Sequence, residues 1–154
     1  MYAWYFRELP PGVNPAGCAE FDGHALLYVG IAATRALGRN GLPSKNSLRT
    51  RIRMHYSGSA EGSTLRLTLG ALLAERLDLR RRPGARGKSF GDGERRLSEW
   101  MEGNAEVAWM VHPEPWVIEG SVIGRLYLPF NLAHNRSHPF HDQLAAARSR
   151  LGLS

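Results

Sequence analysis

The chain has 154 residues, which fits a single domain with a core of its own. Its hydrophobic content of 43% excludes a disordered segment, and no apolar run is long enough for a transmembrane helix. One cysteine excludes an internal disulfide and a Cys-based zinc finger. The first residues lack the features of a signal peptide, so we expect a cytoplasmic protein. The net charge of +6 favours polyanionic partners, although an arginine-rich composition alone would also produce it.

Three strands are predicted from alternation and from short apolar runs. Residues 2–8 alternate, so that Tyr2 and Tyr5 point to opposite faces of the first strand. A loop rich in proline and glycine leads to a second strand at 25–31, and the two strands can form a hairpin with a long connection. The third strand is predicted at 106–111.

The remaining ordered segments have helical periodicity. The predicted helices span residues 47–56, 65–77, 97–101, 116–126 and 137–151. Residues from Arg80 to Arg96 are rich in arginine and glycine and are predicted to form a mobile basic loop. Together, these strands and helices predict one α+β domain over residues 1–154, with an insert at about 57–100.

Glu119 interrupts an apolar pattern. With Val122, Ile123 and Leu126 it follows the spacing i, i+3, i+4, i+7 of one helix face. A carboxylate in that position needs a hydrogen-bond donor, a cation or a metal ion. The pattern does not decide among an arginine, backbone donors and a metal as its partner.

The helix at 47–56 is basic on both sides of an apolar line. The line contains Leu48, Ile52 and Tyr56, one edge carries Arg51 and His55, and the other carries Arg49 and Arg53. Such a helix is either a solvated cationic surface or one whose edges follow phosphates and supply a cation to a reaction.

Taken in chain order, these residues resemble the GIY-YIG nuclease domain. The similar positions are Tyr5 on one strand, Tyr28-Val29-Gly30 at the end of the next, Arg51 and His55 on a helix, Glu119 on a later helix, and Asn131 in Leu128-Pro129-Phe130-Asn131. Where the family has Gly-Ile-Tyr, this chain has Ala3-Trp4-Tyr5, and several loops are longer than usual. The resemblance implies a three-stranded antiparallel sheet flanked by helices.

The resemblance also implies a metal-dependent endonuclease that acts on DNA, with RNA not excluded. Glu119 would hold Mg²⁺ or Mn²⁺, and Arg51 would bind the scissile phosphate. Tyr5 is favoured as the base and Tyr28 as a positioning group, with the reverse left open. His55 would orient the attack or serve as an alternative base, and Asn131 would brace the site or donate to phosphate.

Phosphate contacts outside the reaction centre are expected from the basic helix edge and the basic loop. The expected nucleic-acid-binding residues are Arg49, Arg53, Arg80, Arg81, Arg82, Arg86 and Lys88. The alternatives are a binding module of the same fold that has lost efficient cleavage and a structural subunit with an acidic partner. The source of specificity is left open among a homodimer, a separate partner and the inserted segments themselves. The spacing of His134, His138 and His141 is that of a polar turn and helix start, with a transition-metal site as the lesser alternative.

Overall fold

The computed structural model describes residues 1–32, 47–82 and 89–152. The strands are β1 (Tyr2–Phe6), β2 (Glu20–Phe21), β3 (His24–Gly30) and β4 (Ala105–Trp109). The helices are α1 (Leu48–Ser57), α2 (Thr64–Leu72), α3 (Gly93–Asn104), α4 (Pro115–Arg125) and α5 (His141–Arg150), with a 3₁₀ turn at Ala60–Gly62. None of the helices in these ranges is long and apolar enough to cross a membrane.

The sheet is antiparallel with the strand order β2-β3-β1-β4. It has four strands rather than the predicted three, because Glu20 and Phe21 pair with the start of β3. Two residues are too few to give an alternating pattern, so the sequence did not reveal this strand. The predicted β1–β3 hairpin with a long connection is confirmed.

A shift of register in the β1–β3 pair sets which side chains share a face. Trp4 lies opposite Tyr28, whereas Tyr5 lies opposite Leu26, so β3 carries one extra residue between these pairs. Tyr28 therefore falls on the same face as Tyr2 and Trp4, within the larger core cluster. Tyr5 falls on the other face, where a smaller cluster packs beneath α4.

Serine caps start two of the helices that carry the site. The Oγ of Ser47 accepts from the Thr50 N–H at 3.1 Å, and the Oγ of Ser63 accepts from the Arg66 N–H at 3.0 Å. Helix α2 ends at Leu72, five residues before the predicted end, and α3 is longer than the predicted 97–101. Part of the predicted basic loop is therefore helical, since α3 begins at Gly93.

A buried ion pair joins α1, α2 and α3. Arg66 is fully buried and donates from Nη2 and Nε to the same oxygen of Glu94, at 2.8 and 3.1 Å. Its Nη1 donates to the carbonyl oxygens of His55 and Tyr56 in α1. The other Glu94 oxygen accepts from the Ala60 N–H at 2.9 Å. Arg66 thus fixes the last turn of α1 against α2 and α3.

Candidate active site

Three side chains meet where β1 faces α1. The Oη of Tyr2 lies 2.8 Å from Nε2 of His55, and Nε of Arg51 donates to the same Oη at 3.3 Å. Nη1 of Arg51 donates to the carbonyl oxygen of Gly62 at 2.7 Å. Because Arg51 and His55 are four residues apart on α1, they present neighbouring groups to one strand residue.

Gly30, at the end of β3, makes room for this cluster. Tyr2 pairs across the strands with Gly30, and a Cβ on Gly30 would lie 2.6 Å from the Tyr2 Oη. Any side chain at this position would displace the phenol from His55. The glycine of the Tyr-Val-Gly triplet is therefore a packing requirement of Tyr2.

His55 is held in the neutral form. Its imidazole is fully buried, and burial, together with the charges of Arg51 and Arg66, lowers its pKa to about 3. Its Nδ1 lies 2.6 Å from the Ser63 Oγ. Burial and the neighbouring Tyr28 raise the pKa of Tyr2, so its phenol is protonated at neutral pH. Since Arg51 donates to the phenol oxygen, the phenol proton is available to Nε2 of His55.

Tyr28 links the cluster to a cleft. Its ring centroid lies 6.5 Å from that of Tyr2 and 5.9 Å from that of His55, and its hydroxyl lies 2.9 Å from Oγ1 of Thr64. The cleft has a volume of about 250 Å³, and its polar lining comes from Tyr28, Thr64, Thr68, Glu119, Asn131 and Arg148. Burial raises the pKa of Tyr28, while Arg51 and Arg148 oppose the rise.

Glu119 extends from α4 into this cleft and is half-buried. Burial raises the pKa of its carboxyl group, and the nearby His134 opposes that rise. The predicted apolar stripe is only partly buried, because Ile123 is in the core whereas Leu126 is exposed. A half-buried carboxylate that lines a cleft has the exposure that a cation-binding group needs.

Asn131 is tied to the backbone of β3 at both ends of its amide. Its Oδ1 accepts from the Val29 N–H at 3.0 Å, and its Nδ2 donates to the Val29 carbonyl oxygen at 2.8 Å. The side chain is buried, so this pairing holds it firmly. Of the two predicted roles of Asn131, the geometry favours bracing the strand next to Tyr28.

Tyr5 is the one predicted catalytic residue that lies apart from the others. Alternation along β1 puts it on the face opposite Tyr2, against the small cluster beneath α4 and 6.4 Å from the ring of Phe21. Tyr2, and not the favoured base Tyr5, lies beside Arg51 and His55. The shift of register explains the difference, because it decides which β1 tyrosine shares a face with Tyr28.

The predicted phosphate-binding arginines lie on the surface. Arg49 and Arg53 are exposed on α1, and Arg80, Arg81 and Arg82 are exposed after α2. Arg80 pairs with Asp78. Arg86 and Lys88 lie outside the described residues.

A metal centre of several protein ligands is not present in the described part of the chain, where no three His, Cys, Asp or Glu side chains form such a group. His138 is buried against Tyr127 and accepts from the Phe140 N–H, while His141 contacts Asp142. A single carboxylate fits Mg²⁺ or Mn²⁺, since Mg²⁺ commonly takes one or two carboxylates and keeps several waters. Glu119 supplies one such carboxylate to the cleft.

Sequence reasoning missed Tyr2, Thr64 and Arg148. The alternation of β1 placed Tyr2 on a defined face, but nothing in the sequence said which face met the basic helix. Thr64 follows the Ser63 cap of α2. Arg148 reaches the cleft because α5 packs on α2, a contact that sequence spacing does not encode.

A family model described as the GIY-YIG catalytic domain matches residues 1–150, which is nearly the whole chain. The chain belongs to the GIY-YIG catalytic domain family. No curated protein and no solved structure matches it. Membership of this family implies an endonuclease that acts on DNA.

Proposed function

We propose that this chain is a metal-dependent endonuclease that hydrolyses phosphodiester bonds of DNA. The observation that carries the proposal is the meeting of Arg51, Tyr2 and His55 next to the cleft that holds Glu119. Hydrolysis requires a water that loses a proton, a cation for the charge on the phosphate, and stabilisation of the leaving oxygen. The cluster and the cleft contain a group suited to each requirement.

Arg51 is the cation that binds the scissile phosphate. A guanidinium has five N–H groups, and the bonds to Tyr2 and Gly62 use two of them. These bonds restrain the plane of the guanidinium, which leaves the other donors free for non-bridging phosphate oxygens. Preorganised donors stabilise the charge of the transition state without having to reorganise during the reaction.

Tyr2 and His55 form the proton-accepting pair. As the water oxygen bonds to phosphorus and the bond from phosphorus to the leaving oxygen breaks, one water proton passes to the Tyr2 oxygen while the phenol proton passes to Nε2 of His55. The leaving oxygen takes a proton from solvent. The low pKa of His55 opposes this transfer in the free protein. Burial is the main cause of that low pKa, and the charges of Arg51 and Arg66 add to it. A phosphate bound at Arg51 would offset the contribution of Arg51, so the base becomes stronger when the substrate is present.

Glu119 would hold one Mg²⁺ or Mn²⁺ ion, with water supplying the remaining ligands. When bound, the ion would offset the negative charge that develops on the phosphate and on the leaving oxygen. Tyr28, protonated because its pKa is raised, donates a hydrogen bond into the cleft or to Thr64. Asn131 keeps the strand beneath Tyr28 in place.

The test is nicking of supercoiled plasmid DNA with Mg²⁺, with Mn²⁺ and with EDTA. We expect the wild type to nick only with a divalent ion, and Glu119→Gln to be at least about 100-fold slower, the loss typical of removing one group that stabilises charge. The matched control is Glu114→Gln, an exposed carboxylate just before the same helix, which should nick like the wild type.

Binding measured in EDTA separates catalysis from affinity. Glu119→Gln should retain a salt-dependent gel shift, because phosphate contacts supply most of the affinity. A wild type that shifts DNA but never nicks it would overturn the proposal in favour of the non-cleaving binding module. Normal nicking by Glu119→Gln would overturn the metal assignment. Cleavage of RNA instead of DNA would correct the substrate.

A further inference from the structure

The proposed reaction leaves one charged side chain of the cleft without a role. Arg148 lies on α5, which packs against α2, and it lines the same cleft as Tyr28, Thr64 and Glu119. It is half-buried, and it is the cationic member of the cleft lining. No sequence pattern indicated that Arg148 contributes to the site.

The surroundings of Arg148 suit an anion. The cleft wall next to it supplies the hydroxyls of Thr64 and Thr68, which can donate to phosphate oxygens. Placing a guanidinium in a half-buried position has a desolvation cost, and burial lowers the pKa of Arg148. Tyr28, which lines the same cleft, opposes that shift. Arginine nevertheless keeps its charge at any physiological pH.

The charges of Arg148 and Arg51 both oppose the rise in the pKa of Tyr28, and the two side chains come from different helices. Arg51 lies on α1, where it is bonded to Tyr2 and Gly62. Arg148 lies on α5 and lines the same cleft as Tyr28. A nucleic-acid strand presents successive phosphates, so each of the two guanidinium groups can bind one of them.

We propose that Arg148, with the Thr64 hydroxyl, forms a second phosphate subsite that binds the phosphate adjacent to the scissile one. This inference rests on the proposed function, because it assumes that the cleft receives a nucleic-acid strand. It assigns the two arginines different tasks. Arg51 stabilises charge on the reacting phosphate, whereas Arg148 holds the strand equally in the ground state and in the transition state.

That difference predicts a kinetic signature. Removing a contact that binds the ground state and the transition state equally raises KM and leaves kcat nearly unchanged. Removing a contact that stabilises charge on the reacting phosphate lowers kcat. Arg148→Ala should therefore raise KM roughly tenfold with little change in kcat, a loss of about 1.4 kcal/mol of binding free energy. Arg51→Ala should mainly lower kcat.

The first experiment measures binding of a fluorescein-labelled DNA duplex in EDTA by anisotropy, so that it does not depend on cleavage. Arg148→Ala should bind roughly tenfold more weakly than the wild type, and the slope of log K against log salt should fall by about 0.9, the value of one phosphate contact. Arg148→Lys should recover part of the affinity because it keeps the charge. The matched control is Arg150→Ala, which removes an exposed charge from the same helix and should bind like the wild type.

The outcomes separate this inference from the proposed function. If the wild type binds DNA but does not cleave it, the function fails while the binding series still tests Arg148. If Arg148→Ala binds like Arg150→Ala, the subsite is overturned. If Arg148→Lys binds as weakly as Arg148→Ala while both melt at the wild-type temperature, charge is not what matters and the subsite is also overturned. If the wild type binds no nucleic acid, both proposals fail.

Discussion

The protonation of His55 has a consequence for stability at the scale of a single residue. Its pKa is about 3 in the folded chain, against about 6.5 for an unperturbed imidazole. Between these values the unfolded chain binds a proton that the folded chain does not. The neutral imidazole therefore costs no stability above about pH 6.5, and the fold is progressively destabilised as the pH falls from there towards 3.

This pH dependence can be measured by urea unfolding at pH 7.5, 6.0 and 5.0. The free energy of unfolding of the wild type should fall with pH more steeply than that of His55→Gln, which has no proton to take up. His134→Asn removes an exposed imidazole and should follow the wild type. Equal slopes for the wild type and His55→Gln would mean that His55 is not buried as a neutral group.

At the scale of elements, the packing of β1 on β3 depends on Gly30. Gly30→Ala should destabilise the fold by about 1–3 kcal/mol, because the new methyl group collides with the Tyr2 phenol within a buried cluster. It should also reduce cleavage, because Tyr2 is pushed away from His55. Gly103→Ala in α3, where a methyl group meets nothing, should instead stabilise the chain by up to about 1 kcal/mol. Thermal unfolding and nicking rates of the two variants test these predictions. A Gly30→Ala variant that unfolds and nicks like the wild type would contradict the proposed packing of Gly30 against Tyr2.

The packing of α1, α2 and α3 against one another depends on the Arg66–Glu94 ion pair. Glu94→Gln should cost about 3–5 kcal/mol, because it leaves a fully buried guanidinium without its counter-charge. Glu99→Gln on the same helix breaks an exposed pair with Arg95 and should cost less than about 1 kcal/mol. Chemical denaturation measures the free energy of unfolding of both variants. Similar losses for the two variants would show that Arg66 is not buried as described.

At the scale of the whole molecule, the net charge of +6 should make DNA binding strongly salt-dependent. The exposed edge of α1 is expected to contribute through Arg49 and Arg53. The double variant Arg49→Gln/Arg53→Gln should reduce the slope of log K against log salt by about 1.8, or two phosphate contacts, and leave kcat at saturation nearly unchanged. The control Arg95→Gln/Arg150→Gln removes the same charge elsewhere. Equal effects of the two double variants would mean that only net charge matters.

The sequence patterns predicted most of the secondary-structure elements and most residues of the candidate site, because those patterns are local. Arg51 and His55 are linked by helical spacing, and Glu119 stood out against an apolar pattern, so both signals are local. The choice between Tyr2 and Tyr5 depended on a shift of strand register, which is a property of the pairing and not of either strand. Arg148 depended on how α5 packs on α2. Contacts between distant segments are the part that local patterns cannot supply.

The double hydrogen bond between Asn131 and Val29 should also limit association between copies of the chain. Strand β2 pairs with only the first two residues of β3, and among residues 1–32, 47–82 and 89–152 no other strand pairs with the rest of that outer edge. The Phe130 N–H bonds to the Leu27 carbonyl oxygen, and the Asn131 amide takes the place of the next peptide group. An open strand edge is a template for aggregation. Loss of Asn131 would therefore shorten the lifetime of concentrated solutions as well as loosen the site, because the strand that carries Tyr28 would be free to recruit another chain.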